Sequence, residues 1–227
     1  DGNYNGDSYA SLKGKAFVGN MDISANAPVF TFKNGAVAEI GYFKNKYLLP
    51  TWYSYGLNVR SNAKVHIKDF NVSVASGVVN VDDHGYLKID SLGYNGMGFL
   101  ARVTNGSVLE ITKFQQNDGT QSFWNWGPAD PNVRKEIYVD NSTLKGDFTL
   151  TKPTDQSGQN YSSANTNFQI KFFNNAKFEG RLINNASTAL KSTVGVSVSN
   201  STLPTLDYTQ NGSDKTTPTF SIVNNSD

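Results

Sequence analysis

One pattern returns along this chain and limits its folds more than any other feature. An apolar residue is followed by a short corner rich in Asn, Ser, Asp or Gly, and then by alternating apolar residues. The clean copies are FTFKNGAVAEI ending at Ile40, LNVRSNAKVHI at Ile67, VNVDDHGYLKI at Ile89 and ARVTNGSVLEI at Ile111. From Ile67 to Ile89 to Ile111 the step is 22 residues each time. Further copies are VDNSTLKGDF from Val139, FNNAKFEGRL from Phe173, VSNSTLPTL from Val198 and a truncated VNNSD from Val223, the last three at a step of 25.

A period of 22 to 25 residues is what three strands of about five residues and three corners need, since a strand rises about 3.3 Å per residue. Leucine-rich repeats have similar periods, but their Leu ladder and fixed Asn pattern are absent. The spacing therefore predicts an all-β fold, a parallel β-helix (β-solenoid) with three strands per coil. Alternation sends Val59, Val65 and Ile67 inward, and likewise Val103, Leu109 and Ile111, each to stack on its equivalent about 4.8 Å away. Asn62, Asn105, Asn141, Asn175 and Asn200 fall at the corner, where Asn tolerates left-handed backbone angles. The chain is expected to be one domain over 1–227, with 1–29 a cap or irregular first coil and 30–227 the repeated coils. It reads as a fragment of a longer protein, because the last residues begin another coil.

Composition excludes more than it selects. A net charge of +1 gives no field for nucleic acid. No apolar run is long enough to span a bilayer, so membrane insertion is not expected. With no cysteine there is neither a disulfide scaffold nor a thiolate metal site.

The coils differ in the segment after the strands ending near Ile40, Ile67, Ile89, Ile111, Leu150, Leu182 and Leu206. That segment is short after Ile67 and Ile89 and long after Ile40, Ile111 and Leu150. Equivalent phases stack, so the long insertions are expected along one edge. Two of them are aromatic and hold all three tryptophans. The candidate ligand-binding residues are Tyr47, Trp52, Tyr53, Tyr55, Phe123, Trp124, Trp126, Asp130 and Arg134. Rings of this kind stack on the apolar faces of sugars or anchor a protein partner, and they also fold back to cover a β-wall.

Catalytic material is thin. Asp82, Asp83 and His84 form the one tight carboxylate and imidazole cluster, at a corner where adjacent acids are ordinarily turn formers. The outward positions of consecutive coils read Lys64 and His66, then Tyr86 and Lys88, then Val108 and Glu110, with no stacked row of acids for Ca²⁺. His66 and His84 differ in phase, so no metal site is expected, and a pH-responsive role is a minor alternative. No catalytic residue, metal or cofactor is expected.

These coils, with no cysteine and many Asn, Thr and Lys, resemble the pectate-lyase-like adhesive domains of Gram-positive surface proteins, in particular the ligand-binding regions of lactobacillal adhesins. The resemblance covers about residues 30 to 227 and carries over no site residue. It implies a right-handed parallel β-helix on an extracellular, wall-anchored protein. It implies also a monomeric module that recognises host epithelial or mucus glycans or glycoproteins, or plant-type polysaccharides, without cleaving them. The serine-rich repeats and wall-anchor signal of that family are absent from this sequence. A polysaccharide lyase or hydrolase and a self-associating spacer are the alternatives.

Overall fold

In a computed structural model the protein is described over residues 2–4, 9–12, 16–23, 29–45, 55–72, 77–94, 99–116, 135–150, 168–184, 194–201, 207–210 and 219–223. Every element among these is a strand. In chain order they are β1 (Gly2–Tyr4), β2 (Tyr9–Leu12), β3 (Ala16–Ile23), β4 (Val29–Phe32), β5 (Val37–Asn45), β6 (Tyr55–Val59) and β7 (Lys64–Val72). There follow β8 (Gly77–Val81), β9 (Tyr86–Tyr94), β10 (Phe99–Val103), β11 (Val108–Gln116), β12 (Lys135–Asp140), β13 (Thr143–Lys145) and β14 (Phe148–Leu150). The last are β15 (Phe168–Phe173), β16 (Lys177–Glu179), β17 (Arg181–Asn184), β18 (Val194–Ser199), β19 (Asp207–Gln210) and β20 (Thr219–Val223).

The strands alternate between two sheets. One runs β2-β4-β6-β8-β10-β12-β15-β18-β20, the other β1-β3-β5-β7-β9-β11-β14-β17-β19 with β13 and β16 alongside. Every pairing is parallel, with neighbours one coil apart. This is the expected parallel β-helix. The 22-residue coil recurs in cross-coil bonds such as Asn80 Nδ2 donating to Asn58 Oδ1 at 2.9 Å. Within the segment 1–29, β1 to β3 already run as rungs of the two ladders.

The core is a set of axial columns. Val59, Val81, Val103, Val139 and Phe172 sit in register and are buried, as are Ile40, Ile67, Ile89 and Ile111. Each strand alone exposes its apolar face, and only stacking removes it from water, at about 25 cal/mol per Å². Phe30, Phe43 and Phe70 extend the core at one end, with ring centroids 5.6 Å and 5.1 Å apart along the row.

The first corner follows the first sheet. The Asn-rich tetrads turn through two successive left-handed residues: Asn34 and Gly35, Ser61 and Asn62, Asp83 and His84, Asn105 and Gly106, Asn174 and Asn175. Asn141 and Asn200 turn alone. All five corner asparagines expected from the sequence therefore have positive φ. Beneath them runs a column of small buried residues, Ala36, Ala63, Ser107, Ser142 and Ala176, because this corner leaves no room for more.

The second sheet bends partway along. Ile40 pairs with Ile67, and pairing resumes at Tyr42 with Asp69, skipping one rung. The same rung is skipped between β7 and β9 and between β9 and β11. Two outward residues in succession, such as Lys68 and Asp69, then shift the inward phase so that Phe70 is buried. In later coils the bend splits the strand, and Gly146 and Gly180 occupy it. A Cβ on Gly146 (φ 126°) would lie 1.9 Å from the Ile111 carbonyl oxygen, and one on Gly180 equally close to that of Gly146. Three straight segments per coil thus arise from two hydrogen-bonded sheets.

Two sequence expectations need correction. Residues after Ile40, Ile67, Ile89 and Ile111 are not yet a variable corner, since the strands continue past the bend to Asn45, Val72, Tyr94 and Gln116. Leu182 pairs with Phe148, and Phe148 with Phe114, so it belongs after the bend, out of phase with Ile111. The 25-residue step also slips by one. Val198 stacks on Phe172 and Ile222, while Phe173 lies beside Ser199. The cause is the corner: Ser199-Asn200-Ser201 is a residue shorter than Phe173-Asn174-Asn175-Ala176, so aligning on the asparagine displaces the strand.

Candidate functional site

Three places on this solenoid carry chemistry. The first is the edge where each coil passes from the second sheet back to the first. Residues 46–54 depart from Asn45 and rejoin at Tyr55; residues 117–134 depart from Gln116 and rejoin at Lys135; residues 151–167 depart from Leu150 and rejoin at Phe168. The short links 73–76 and 95–98 occupy the same phase. Strands β6, β8, β10, β12 and β15 are successive rungs, so all these connections share one edge of the stack. The insertions therefore begin later than the sequence indicated, but at a common phase.

Of the candidate ligand residues, Tyr55 opens β6, with its backbone beside Gly77. Tyr47, Trp52, Tyr53, Phe123, Trp124, Trp126, Asp130 and Arg134 lie outside the described residues.

The second place is the outer face of the second sheet, ahead of the bend. One outward column reads Glu39, His66, Lys88, Glu110, Lys145 and Glu179 in register. Charges of opposite sign meet along it. Lys145 Nζ reaches Glu179 at 2.8 Å, and Lys88 Nζ reaches Glu110 at 3.5 Å and Asp90 at 3.9 Å. His66 Nε2 lies 2.8 Å from Asp90, and its Nδ1 lies 3.9 Å from Glu39. The hydrogen bond to Glu179 holds the Lys145 ammonium above its ordinary range. Tyr86 donates its hydroxyl to Glu110 at 2.6 Å, and burial together with that acceptor pushes the phenol up to about 12. At the bend, Arg181 clamps Asp147 through Nε at 3.1 Å and its terminal nitrogen, which holds the carboxyl below the usual carboxylate range. Among the described residues no three His, Asp or Glu converge as ligands for one metal ion.

The corner cluster of Asp82, Asp83 and His84 is tied into the stack. Asp82 Oδ1 accepts from Thr104 at 2.8 Å and Asn105 at 2.7 Å. Burial opposes its ionisation, yet these bonds outweigh it and leave the carboxyl below its ordinary value. Asp83 accepts from Ser61 at 2.9 Å. Both acids thus bond the neighbouring coils.

The third place was not singled out from the sequence. On the outer face of the first sheet, Tyr138 of β12 lies between Arg102 of β10 and Phe173 of β15. The guanidinium sits 5.3 Å from the ring centroid, and the two rings stack at 5.0 Å with planes 29° apart. Beside them Lys171 reaches Glu136 at 2.8 Å. These residues are far apart in sequence and only the register unites them, so no local motif could have found them.

Compared with protein-family models, curated proteins and solved structures, the chain matches none.

Proposed function

We propose that this chain is a non-catalytic binding module of an extracellular bacterial surface adhesin, recognising host epithelial or mucus glycans, or other polysaccharide, through its aromatic insertions. The observation that carries the reading is the shared edge: 46–54, 117–134 and 151–167 all leave and rejoin the coils at one phase. A rigid stack that presents variable loops side by side is how β-scaffolds carry recognition. Tryptophan and tyrosine side chains suit sugar faces, giving large contact area at low entropic cost.

Replacing Trp52, Trp124 and Trp126 with Ala is expected to abolish binding to mucin-coated or epithelial surfaces while the far-ultraviolet spectrum stays β-like. Undiminished binding would overturn the reading.

One observation favours polysaccharide cleavage as a second reading. Lys88 Nζ lies 3.9 Å from Asp90 and 3.5 Å from Glu110, which gathers two carboxylates on one face, and glycoside hydrolysis works through paired carboxylates. An assay for new reducing ends or unsaturated sugars on pectin and mucin glycans decides between the two readings.

A further inference from the structure

The outer face of β10, β12 and β15 combines features that a purely structural wall does not require. Arg102 is exposed and has no ion-pair partner among the described residues, while its guanidinium is held over the Tyr138 ring. A cation fixed this way keeps its N–H donors free at the rim and loses little side-chain entropy on meeting an anion. Next along the axis, Phe173 covers the other side of Tyr138. On the following rung the partner of Phe173 is Ser199 and that of Lys171 is Ser197, so the diagonal Tyr138–Phe173 stack ends at a step down to small side chains. Phe173 is only partly buried there.

The surroundings are already sheltered. Glu136 and Lys171 point outward from the sheet, yet their side chains are only 12% and 27% exposed. They neutralise each other, and both Asp140 oxygens are engaged, by Tyr138 at 3.3 Å and Asn174 at 2.9 Å. Among the described residues, Arg102 is left as the cation of this patch with unspent donors. The same strands β12 and β15 receive the insertions 117–134 and 151–167 at their first residues. A strand rises about 3.3 Å per residue, so Tyr138 lies roughly 10 Å from that edge.

We propose that this patch is a second carbohydrate-contact site, in which Arg102 takes the carboxylate or sulfate of an anionic sugar whose ring lies along the exposed flank of the Tyr138–Phe173 stack. It rests on the glycan-binding reading and adds both the charge of the ligand and a location on the β-wall. Carboxylate and sulfate each offer two adjacent anionic oxygens to the paired N–H donors of a guanidinium.

The test is titration calorimetry of the whole chain with three probes: a hyaluronan hexasaccharide bearing carboxylates, a sulfated dextran oligosaccharide and the unmodified dextran oligosaccharide. At least one anionic probe is expected to bind at least tenfold more tightly than neutral dextran. Arg102→Gln should weaken that binding about tenfold, Arg102→Lys should recover part of it, and Phe173→Ser should weaken it severalfold. Arg102 is exposed, so the thermal midpoint of both Arg102 variants should stay within about 2 °C of the parent. Hyaluronan alone responding assigns carboxylate; sulfated dextran alone assigns sulfate. The inference is overturned if neither anionic probe outbinds dextran, or if Arg102→Gln leaves the affinity within a factor of two. A triple tryptophan variant that loses glycan binding while Arg102→Gln retains it removes this site and leaves the insertion edge standing. The reverse outcome removes the edge and leaves the patch.

Discussion

At the scale of single residues, the first corner shows what each position tolerates. Its inward member must be small, and Ala36, Ala63 and Ala176 satisfy that with no polar atom to place. Ser107 does not: its hydroxyl oxygen is buried without a hydrogen-bond partner among the described residues, although its backbone N–H donates to Ser142 Oγ at 3.1 Å. An unpaired buried hydroxyl costs about 1 to 3 kcal/mol relative to one bonded to water. Ser107→Ala is therefore expected to stabilise the protein by about 1 kcal/mol, raising the thermal midpoint by about 2 to 4 °C. A fall of that size would show that the hydroxyl has a partner. The outer members follow another rule. Asn, Gly, Asp, Ser and His all adopt positive φ in these corners, at a cost of roughly 1 to 2 kcal/mol for an ordinary L-residue that Asn and Gly largely escape. This is why the asparagines were legible as corners from the sequence, and why Ser61 and His84, which share the conformation, were not.

At the scale of the element, the strand ahead of the bend makes its shortest charge pairs across coils, and Lys88 reaches Asp90 of its own strand at the longer distance of 3.9 Å. Register puts Lys145 beside Glu179 and Lys88 beside Glu110, so a two-residue slip, the smallest that keeps the same face outward, would set Glu110 beside Asp90 and Lys145 beside Lys177. The Arg181–Asp147 clamp does the same work at the bend, with the Arg181 backbone N–H adding a bond to Asp147 at 3.0 Å. A carboxyl held below its unfolded value stabilises the fold above that value, about 3.9, and the contribution fades as pH falls through the folded value. Asp147→Asn should lower the thermal midpoint at pH 7 by about 1 to 3 °C, a small effect because solvent screens the pair. The gap between parent and variant should narrow as the pH falls below the ordinary carboxylate value of about 3.9. A gap independent of pH would mean that the loss is one of packing. The bend itself was hidden from the sequence, because two outward residues in succession look like the end of an alternating strand. Past the bend the alternation resumes in the opposite phase, and this displaced the insertions' expected starting points.

At the scale of the whole molecule, the repeat was legible because burial in a solenoid is additive and periodic. Every coil must present inward residues at the same phases or its neighbours lose their cover. The common phase of the insertions was legible for the same reason. The Arg102–Tyr138–Phe173 stack was not, since Tyr138 and Phe173 are separated by the insertion 151–167 and meet only through the pairing of β12 with β15. On the proposed function, the molecule divides into coils that serve as scaffold and an edge that recognises. Links 73–76 and 95–98 close their coils at the same phase with few residues, so the long insertion 117–134 is not needed to complete its own. The most direct measurement replaces 117–134 with the Asn-Gly-Met-Gly link of residues 95–98 and compares glycan binding and thermal unfolding with the parent. The expected result is a cooperative β-protein with a midpoint within a few degrees of the parent and no measurable binding to mucin glycans; a folded variant that binds as well as the parent would contradict the division.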